Sequence, residues 1–329
     1  MVTPWEEPLD VYYIYRANYV PAAKDPMVYL VSHTWANRFE KGRRRATIEA
    51  YSNCDSVLLY NDLTNEKATF LGRKKNNGTG THFMWENRDI RYNVLRAVGY
   101  YKGKPIAEDL ILLNGLEQAP NFELLYQDDK KILKGEAGYN YLYRLNCGGD
   151  DYTDSFGQLW LQDNTNYSRS WAENFKDLNP YLASQRTTND PIRGTRDWTL
   201  FQHFRFGRHQ LEYRFPVADG TYRIELYFTE PWHGTGGSAS TDCEGLRIFD
   251  VAVNDSVVLD DLDIWAESGH DGVCKKVVYA TVKGGVLKIH FPEVKAGQGL
   301  ISGIAIASVD SNLQPTVCLL YTSPSPRDA

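Results

Sequence analysis

The feature that most limits what this chain can fold into is a run of short segments from Met27 to Leu113. Each is rich in β-branched and aromatic residues, and turn residues interrupt them at roughly the 8 to 12 residue interval of a sandwich. The segments are Val28 to Trp35, Ala46 to Ser52, Ser56 to Asn61, Ala68 to Gly72, His82 to Glu86, Tyr92 to Tyr101 and Pro105 to Leu113. In the second of them Ala46, Ile48, Ala50 and Ser52 fall on one face and Thr47, Glu49 and Tyr51 on the other. That period of two marks a strand with one wet side. Strands of this kind close as two packed antiparallel sheets, so residues 27–113 read as one β-sandwich.

A second set of strands runs from Tyr139 to Asp310, longer and separated by larger loops: YLYRLNC, FGQLWLQ, TLFQHFRF, QLEYRFPV, TYRIELYFTE, LRIFDVAVN, KKVVYATV, GVLKIHF and GIAIASV. In TYRIELYF, Tyr222, Ile224, Leu226 and Phe228 make a core face, and Thr221, Arg223, Glu225 and Tyr227 an exposed or ligand-facing row. Asp219-Gly220, Asn254-Asp255 and Gly284-Gly285 supply the positive φ that tight hairpins need. The expected class is all-β, two tandem antiparallel sandwiches. Residues 114–138, with Asn, Gly, Pro and the charged cluster Asp128, Asp129, Lys130 and Lys131, read as a linker with one short helix.

The ends read differently. Residues 1–26 carry Trp5, Tyr12, Tyr13, Ile14 and Tyr15 with nothing of their own to pack against, as if cut from a larger neighbour. Cys318 to Ala329 change composition abruptly, and LYTSPSPRD resembles translated adapter sequence, so residues 311–329 are expected to form a disordered, artefactual tail.

Composition removes several function classes. A formal net charge of −6 lacks the concentrated cations that phosphate contacts need, and Arg43, Arg44 and Arg45 form a short, isolated run suited to a solvated edge or turn. No nucleic-acid partner is expected. No apolar stretch approaches the roughly 18 to 20 residues of a membrane helix, and no signal pattern opens the chain. The cysteines (Cys54, Cys147, Cys243, Cys274, Cys318) lack CxxC spacing, which argues against a zinc ribbon or a disulfide scaffold and leaves one Cys243–Cys274 bridge open. GxSxG, HExxH and Walker patterns are absent from the sequence, and no cofactor or metal is expected. Asp260, Asp261 and Asp263, like Asp150 and Asp151, lack the spacing of a calcium loop and read as solvated turns.

Two stretches are distinctive: YRLNCGGDDYTDSFG (Tyr143 to Gly157) and RIFDVAVNDSVVLDDLDIWAESG (Arg247 to Gly269). Together they resemble the malectin family over about Tyr139 to Val309, which implies a malectin-like carbohydrate-binding domain at 139–310. FRFGRHQLEYRFPV and TYRIELYFTEPWHGTGG narrow the resemblance to malectin-like domains appended to family 2 glycoside hydrolases of the β-galactosidase type. VYYIYRANY, VSHTW, YSNCDSVLLYND and FMWENRDIRYNVLRAVGY resemble the last barrel segment and the immunoglobulin-like domain of the same enzymes. The resemblance implies a non-catalytic accessory fragment: 1–26 from an upstream catalytic barrel, 27–113 immunoglobulin-like, and a parent glycosidase that is periplasmic or secreted. A stand-alone surface glycan-binding or interaction module is the alternative.

In malectin, aromatic residues on loops at one end of the sandwich hold a glucosyl disaccharide, helped by a carboxylate. Carried across, the resemblance places the aromatics at Trp171, Phe206 and Trp232 with His233, and replaces the carboxylate by the amide of Gln298. Phe206 stands where the family has a hydroxylated ring. A sugar offers an apolar CH face and a rim of hydroxyls, so flat rings need polar partners beside them, for which Asp154, Arg208, His209, His233 and Gln298 are candidates. The expected partner is an oligo- or polysaccharide. Retaining hydrolysis would need two carboxyls about 5 to 5.5 Å apart. Glu225, Glu230, Glu244 and Glu293 instead read as surface or salt-bridged groups, and no catalytic residue is expected.

Overall fold

A computed structural model describes residues 2, 8–39, 45–163, 184–208, 211–235 and 242–315. The fold is all-β. The first seven strands are β1 (Val28–Val31), β2 (Arg45–Ser52), β3 (Ser56–Tyr60), β4 (Phe70–Lys75), β5 (Phe83–Asp89), β6 (Val94–Tyr101) and β7 (Lys104–Leu112). They form two antiparallel sheets ordered β1-β2-β5 and β4-β3-β6-β7. In β2, Ile48, Ala50 and Ser52 are buried while Thr47, Glu49 and Tyr51 are not, so the alternation sets which face meets the opposite sheet. Trp85 fills the centre of this core with no exposure, and its indole nitrogen donates to the Gly72 carbonyl at 3.0 Å. Gly72 has φ +134°, and a Cβ there would lie 3.4 Å from the Trp85 ring, so only glycine lets the strand pass without strain.

The N-terminal aromatic segment has a partner after all. Residues Asp10–Tyr19 form helix α1, and Tyr13 stacks on Tyr29 of β1 with ring centroids 4.0 Å apart. The Tyr29 hydroxyl donates to Asp10 at 2.5 Å, and Arg16 pairs with Asp25 at 2.7 Å. Reading Tyr12 to Tyr15 as unsupported overlooked that β1 offers an aromatic surface outside the sandwich core.

The remaining strands are β8 (Asn140–Asn146), β9 (Tyr152–Thr153), β10 (Leu159–Gln162), β11 (Ser184–Thr187), β12 (His203–Gly207), β13 (Glu212–Pro216) and β14 (Gly220–Phe228). They continue as β15 (Ile248–Val253), β16 (Ser256–Leu262), β17 (Cys274–Val282), β18 (Val286–His290), β19 (Val294–Ala296), β20 (Gly299–Ile301) and β21 (Gly303–Ser308). A six-stranded sheet, β17-β14-β21-β8-β10-β9, faces the sheets β13-β18-β15-β16 and β11-β12-β20, with β19 paired to β15. Leu226, Ile304 and Leu145 from the first meet Phe215, Val251 and Ile289 from the others in one apolar core. The segment TLFQHFRF is not a single strand: its first half is the short helix α2 (Trp198–Gln202), and only its second half enters β12.

Strand β14 departs from the simple alternation in an informative way. Tyr222, Ile224, Leu226 and Phe228 are buried as expected, yet Glu225 and Tyr227 on the other face are buried too. A second apolar cluster covers that face, built from Trp160, Trp198, Phe201 and the 114–138 segment through Phe122 and Leu133. Glu225 is held there by Arg223 at 2.8 Å, Lys275 at 2.9 Å and the hydroxyls of Tyr141 and Tyr227. Burial alone would raise its pKa, but the Tyr227, Lys275 and Arg223 donors outweigh it and hold the carboxyl below the ordinary value. All four cysteines among the described residues are free and buried, so Cys243 and Cys274 are not bridged.

The two sandwiches meet through ordered contacts. His33 lies between Asp109 at 2.9 Å and Asp190 at 2.7 Å, one carboxylate from each module. Burial would lower the His33 pKa, but the two carboxylates hold it well above the ordinary value, which favours the charged ring. Asn121 donates to Asp62 at 2.6 Å, and the Gly194 amide donates to Asp128 at 2.7 Å. Trp85→Ala is expected to cost about 3–5 kcal/mol through the cavity it leaves, and urea unfolding followed by circular dichroism measures that loss.

Candidate functional site

At one end of the second sandwich the chain gathers aromatic and polar side chains from β12, the turn after β14, the start of β15 and the β19–β20 turn. Phe204 and Phe206 are two apart on β12 and therefore share a face. Both meet the Trp232 ring edge-on, with centroids 5.2 and 5.3 Å away. The Arg247 guanidinium lies over the Trp232 ring, 5.2 Å from its centroid. Trp232 remains half-buried, whereas Phe206 is only 8% exposed and acts as a floor beneath it.

The turn that carries Trp232 is fixed from below by Glu230. Its carboxylate accepts the backbone amides of Trp232 at 3.0 Å and His233 at 3.1 Å. It also accepts Arg247 Nε at 2.5 Å, in a pair with no solvent exposure on either side. Burial would push the Glu230 pKa up, but the Arg247 charge beside it brings it down to about 2. A second Arg247 nitrogen donates to the Gln298 carbonyl at 2.6 Å, tying the β19–β20 turn to the same anchor. The pairing of Phe206 with Leu300 and Gly207 with Gly299 brings Arg208 beside that turn. There its guanidinium donates to the carbonyls of Val294 at 2.8 Å and Gly297 at 2.9 Å.

His233 completes the cluster. It is 3% exposed, and its Nε2 is buried without a hydrogen-bond partner among the described residues. Burial lowers its pKa and favours the neutral ring, in which Nε2 is either a donor or an acceptor. The following Gly234 has φ +101°, and a Cβ there would lie 3.0 Å from the Cβ of His270, so the turn demands glycine.

The sequence-selected residues thus divide. Phe206, Trp232, His233 and Gln298 come together, and Arg208 braces the turn that carries Gln298. Asp154 does not join them: it accepts the amides of Phe156 and Gln158 and the Trp160 indole, all at 2.9 Å. Trp160 belongs to the cluster on the far face of β14, where Asp154 lines an open cleft of about 320 Å³ with Glu123, Tyr126, Arg196 and Asp197. Asp154 therefore serves its own hairpin, as an acid six residues from a buried indole donor readily does. Trp171 and His209 lie outside the described residues. Arg247, the organiser, was not singled out in the sequence, because a lone arginine before a strand gives no sign that it will be buried.

Breaking the central pair tests this geometry. Glu230→Gln is expected to cost about 3–5 kcal/mol at pH 7, because it strands a buried guanidinium. The wild-type carboxyl is depressed from 4.5 to about 2, so its contribution is complete above pH 4.5 and is lost as pH falls towards 2. The difference between wild type and variant should shrink across that window in pH-dependent thermal unfolding.

Residues 141–312 match the Malectin domain family. Zebrafish (Danio rerio) malectin is 25% identical over 197 residues, covering 58% of this chain and 62% of that protein. Human malectin is 24% identical over 181 residues, 55% of each chain. The chain thus spans about three fifths of the length of these relatives or slightly less. Among solved structures, a Bacteroides uniformis β-glucuronidase aligns at a TM-score of 0.39 and 24% identity, over 92% of this chain and 32% of that one. The ANX1 ectodomain of Arabidopsis thaliana aligns at 0.40 and 16%, over 53% of this chain and 50% of that one. Scores this low carry no argument beyond themselves, whereas the family match spans more than half of the sequence, and the chain accordingly belongs to the malectin-domain family.

Proposed function

We propose that the malectin domain binds an oligosaccharide at the sandwich end built around Trp232, and that the chain is a non-catalytic accessory part of a family 2 glycoside hydrolase of the β-galactosidase type. The observation that carries sugar binding is the pairing of a half-buried Trp232 ring with a neighbouring buried His233 nitrogen that lacks a partner among the described residues. A sugar meets both needs, with its CH face on the indole and a hydroxyl on the imidazole. Family membership supports the same reading. The enzyme context rests on the order of the two sandwiches and on the sequence resemblances in VYYIYRANY and FMWENRDIRYNVLRAVGY. In that setting the first sandwich buttresses an upstream barrel, and the parent acts on β-galactosides or related glycosides in the periplasm or outside the cell.

A stand-alone surface glycan-binding module is the second reading, favoured by the match to vertebrate malectins. Among the described residues no helix is long and apolar enough to cross a membrane, which is compatible with either. Coding sequence upstream of Met1 separates the two: a reading frame continuing into a barrel with two glutamates supports the enzyme part.

Titration calorimetry against glucosyl and galactosyl oligosaccharides tests binding. Trp232→Ala and Trp171→Ala should each weaken it by about tenfold or more, roughly 1.4 kcal/mol. An intact chain that binds no glycan on an array removes the sugar-binding half of the proposal. The purified chain is expected to leave nitrophenyl β-galactoside uncleaved.

A further inference from the structure

Where the two sandwiches meet, a group of imidazoles and carboxylates lies outside the sugar-binding reading. Asp190, His270 and Asp271 each offer a ligand atom within 4.8 Å of those of the other two. Asp190 and Asp271 are 3% and 6% exposed. His270 Nε2 is 3.0 Å from Asp271 Oδ2 and 3.2 Å from the Thr235 hydroxyl. Two atoms of the group, His270 Nδ1 and Asp271 Oδ1, are buried with no hydrogen-bond partner among the described residues.

Bare lone pairs on a buried imidazole and a buried carboxylate are costly, and native structures satisfy such groups. One imidazole offers a single nitrogen to a given ion, so a cation taking the place of the proton between His270 Nε2 and Asp271 Oδ2 meets the need of the carboxylate and offsets its charge. The nearby cations are otherwise engaged: His33 bridges Asp109 and Asp190, and Arg193 donates to the carbonyls of Ser268 and His270. Backbone bonds hold the ligand-bearing turn, with the Asp271 amide donating to Glu230 at 2.9 Å and the Arg193 amide donating to Asp271 at 2.7 Å.

We propose that Asp190, His270 and Asp271 of the second sandwich form a site for a first-row divalent transition ion at the module boundary, with His33 of the first sandwich as a positioning residue that orients Asp190. One imidazole with two carboxylates suits zinc or manganese, whereas calcium and magnesium favour all-oxygen sets. Ligands about 2.0–2.2 Å from zinc stand roughly 3.3 Å apart in a tetrahedron, close to the observed separation of His270 Nε2 and Asp271 Oδ2. The other carboxylate group, Asp250 with Asp260 and Asp261, is a poorer site: two of its members are exposed, and Lys295 already pairs with Asp261. All three ligands belong to the second sandwich, so the ion would hold, through Thr235, the turn that carries Trp232, and would reach the first sandwich only through His33 on Asp190.

The test is zinc titration of the metal-stripped full chain, with calcium in parallel. One equivalent of zinc is expected, with binding weakened by an order of magnitude or more in His270→Gln and Asp271→Asn, by about 10- to 100-fold in His33→Gln, and unchanged in Asp260→Asn. Because the buried variants can misfold, cobalt is also bound to the wild type, where the visible spectrum should lack thiolate charge-transfer bands. Failure of the wild type to take up zinc, preference for calcium, unaltered binding in folded His270→Gln and Asp271→Asn, or a thiolate signature would overturn the proposal.

Discussion

The constraint on which the Trp232 end of the second sandwich depends is the solvent-free ion pair of Glu230 and Arg247. Two charges at that depth are tolerable only when their remaining hydrogen-bonding capacity is met. The way it is met builds the site. Glu230 uses its spare acceptors on the amides of Trp232 and His233, and Arg247 reaches the Gln298 carbonyl while lying over the Trp232 ring. One pair therefore sets two turns and one aromatic ring, a positioning role that requires neither residue to touch a ligand.

The same economy joins the modules. From Ile224 to Phe228 strand β14 has no wet face: one side belongs to the sandwich core and the other to the cluster holding Tyr227, Trp160 and Trp198. Val94 of the first sandwich enters that second cluster with Phe122 and Leu133 of the intervening segment. The 114–138 segment thus packs as a layer between the sandwiches. His33, fixed between Asp109 and Asp190, places a charge where that layer ends, so polar and apolar contacts both oppose relative movement of the two modules.

Much of the fold was legible because strand period and turn chemistry are local. The seven segments of the first sandwich each became a strand within a few residues of the expected bounds, since burial on one face of a pleat leaves its mark in every second residue. What failed was non-local. Tyr12 to Tyr15 gave no hint that β1 would supply Tyr29 as a stacking partner, and WTLFQ turned helical before β12 because Trp198 and Phe201 are drawn to the intermodule cluster. Glu225 and Tyr227 read as a wet row because nothing in β14 records that a distant segment covers it. At the Trp232 end, the family resemblance had named Phe206, Trp232, His233 and Gln298, which the fold brings together. Arg247 and the Asp190, His270 and Asp271 group escaped because their partners are brought together by the fold from far along the chain.

On the proposed reading, a sugar lies at the Trp232 end of the second sandwich. A crystal structure of the chain soaked with a gluco- or galacto-oligosaccharide is the most direct measurement. It should place a pyranose ring against the Trp232 indole with a hydroxyl bonded to His233 Nε2. Sugar lodged instead in the cleft of Glu123, Tyr126 and Arg196, with the Trp232 end bare, would contradict it.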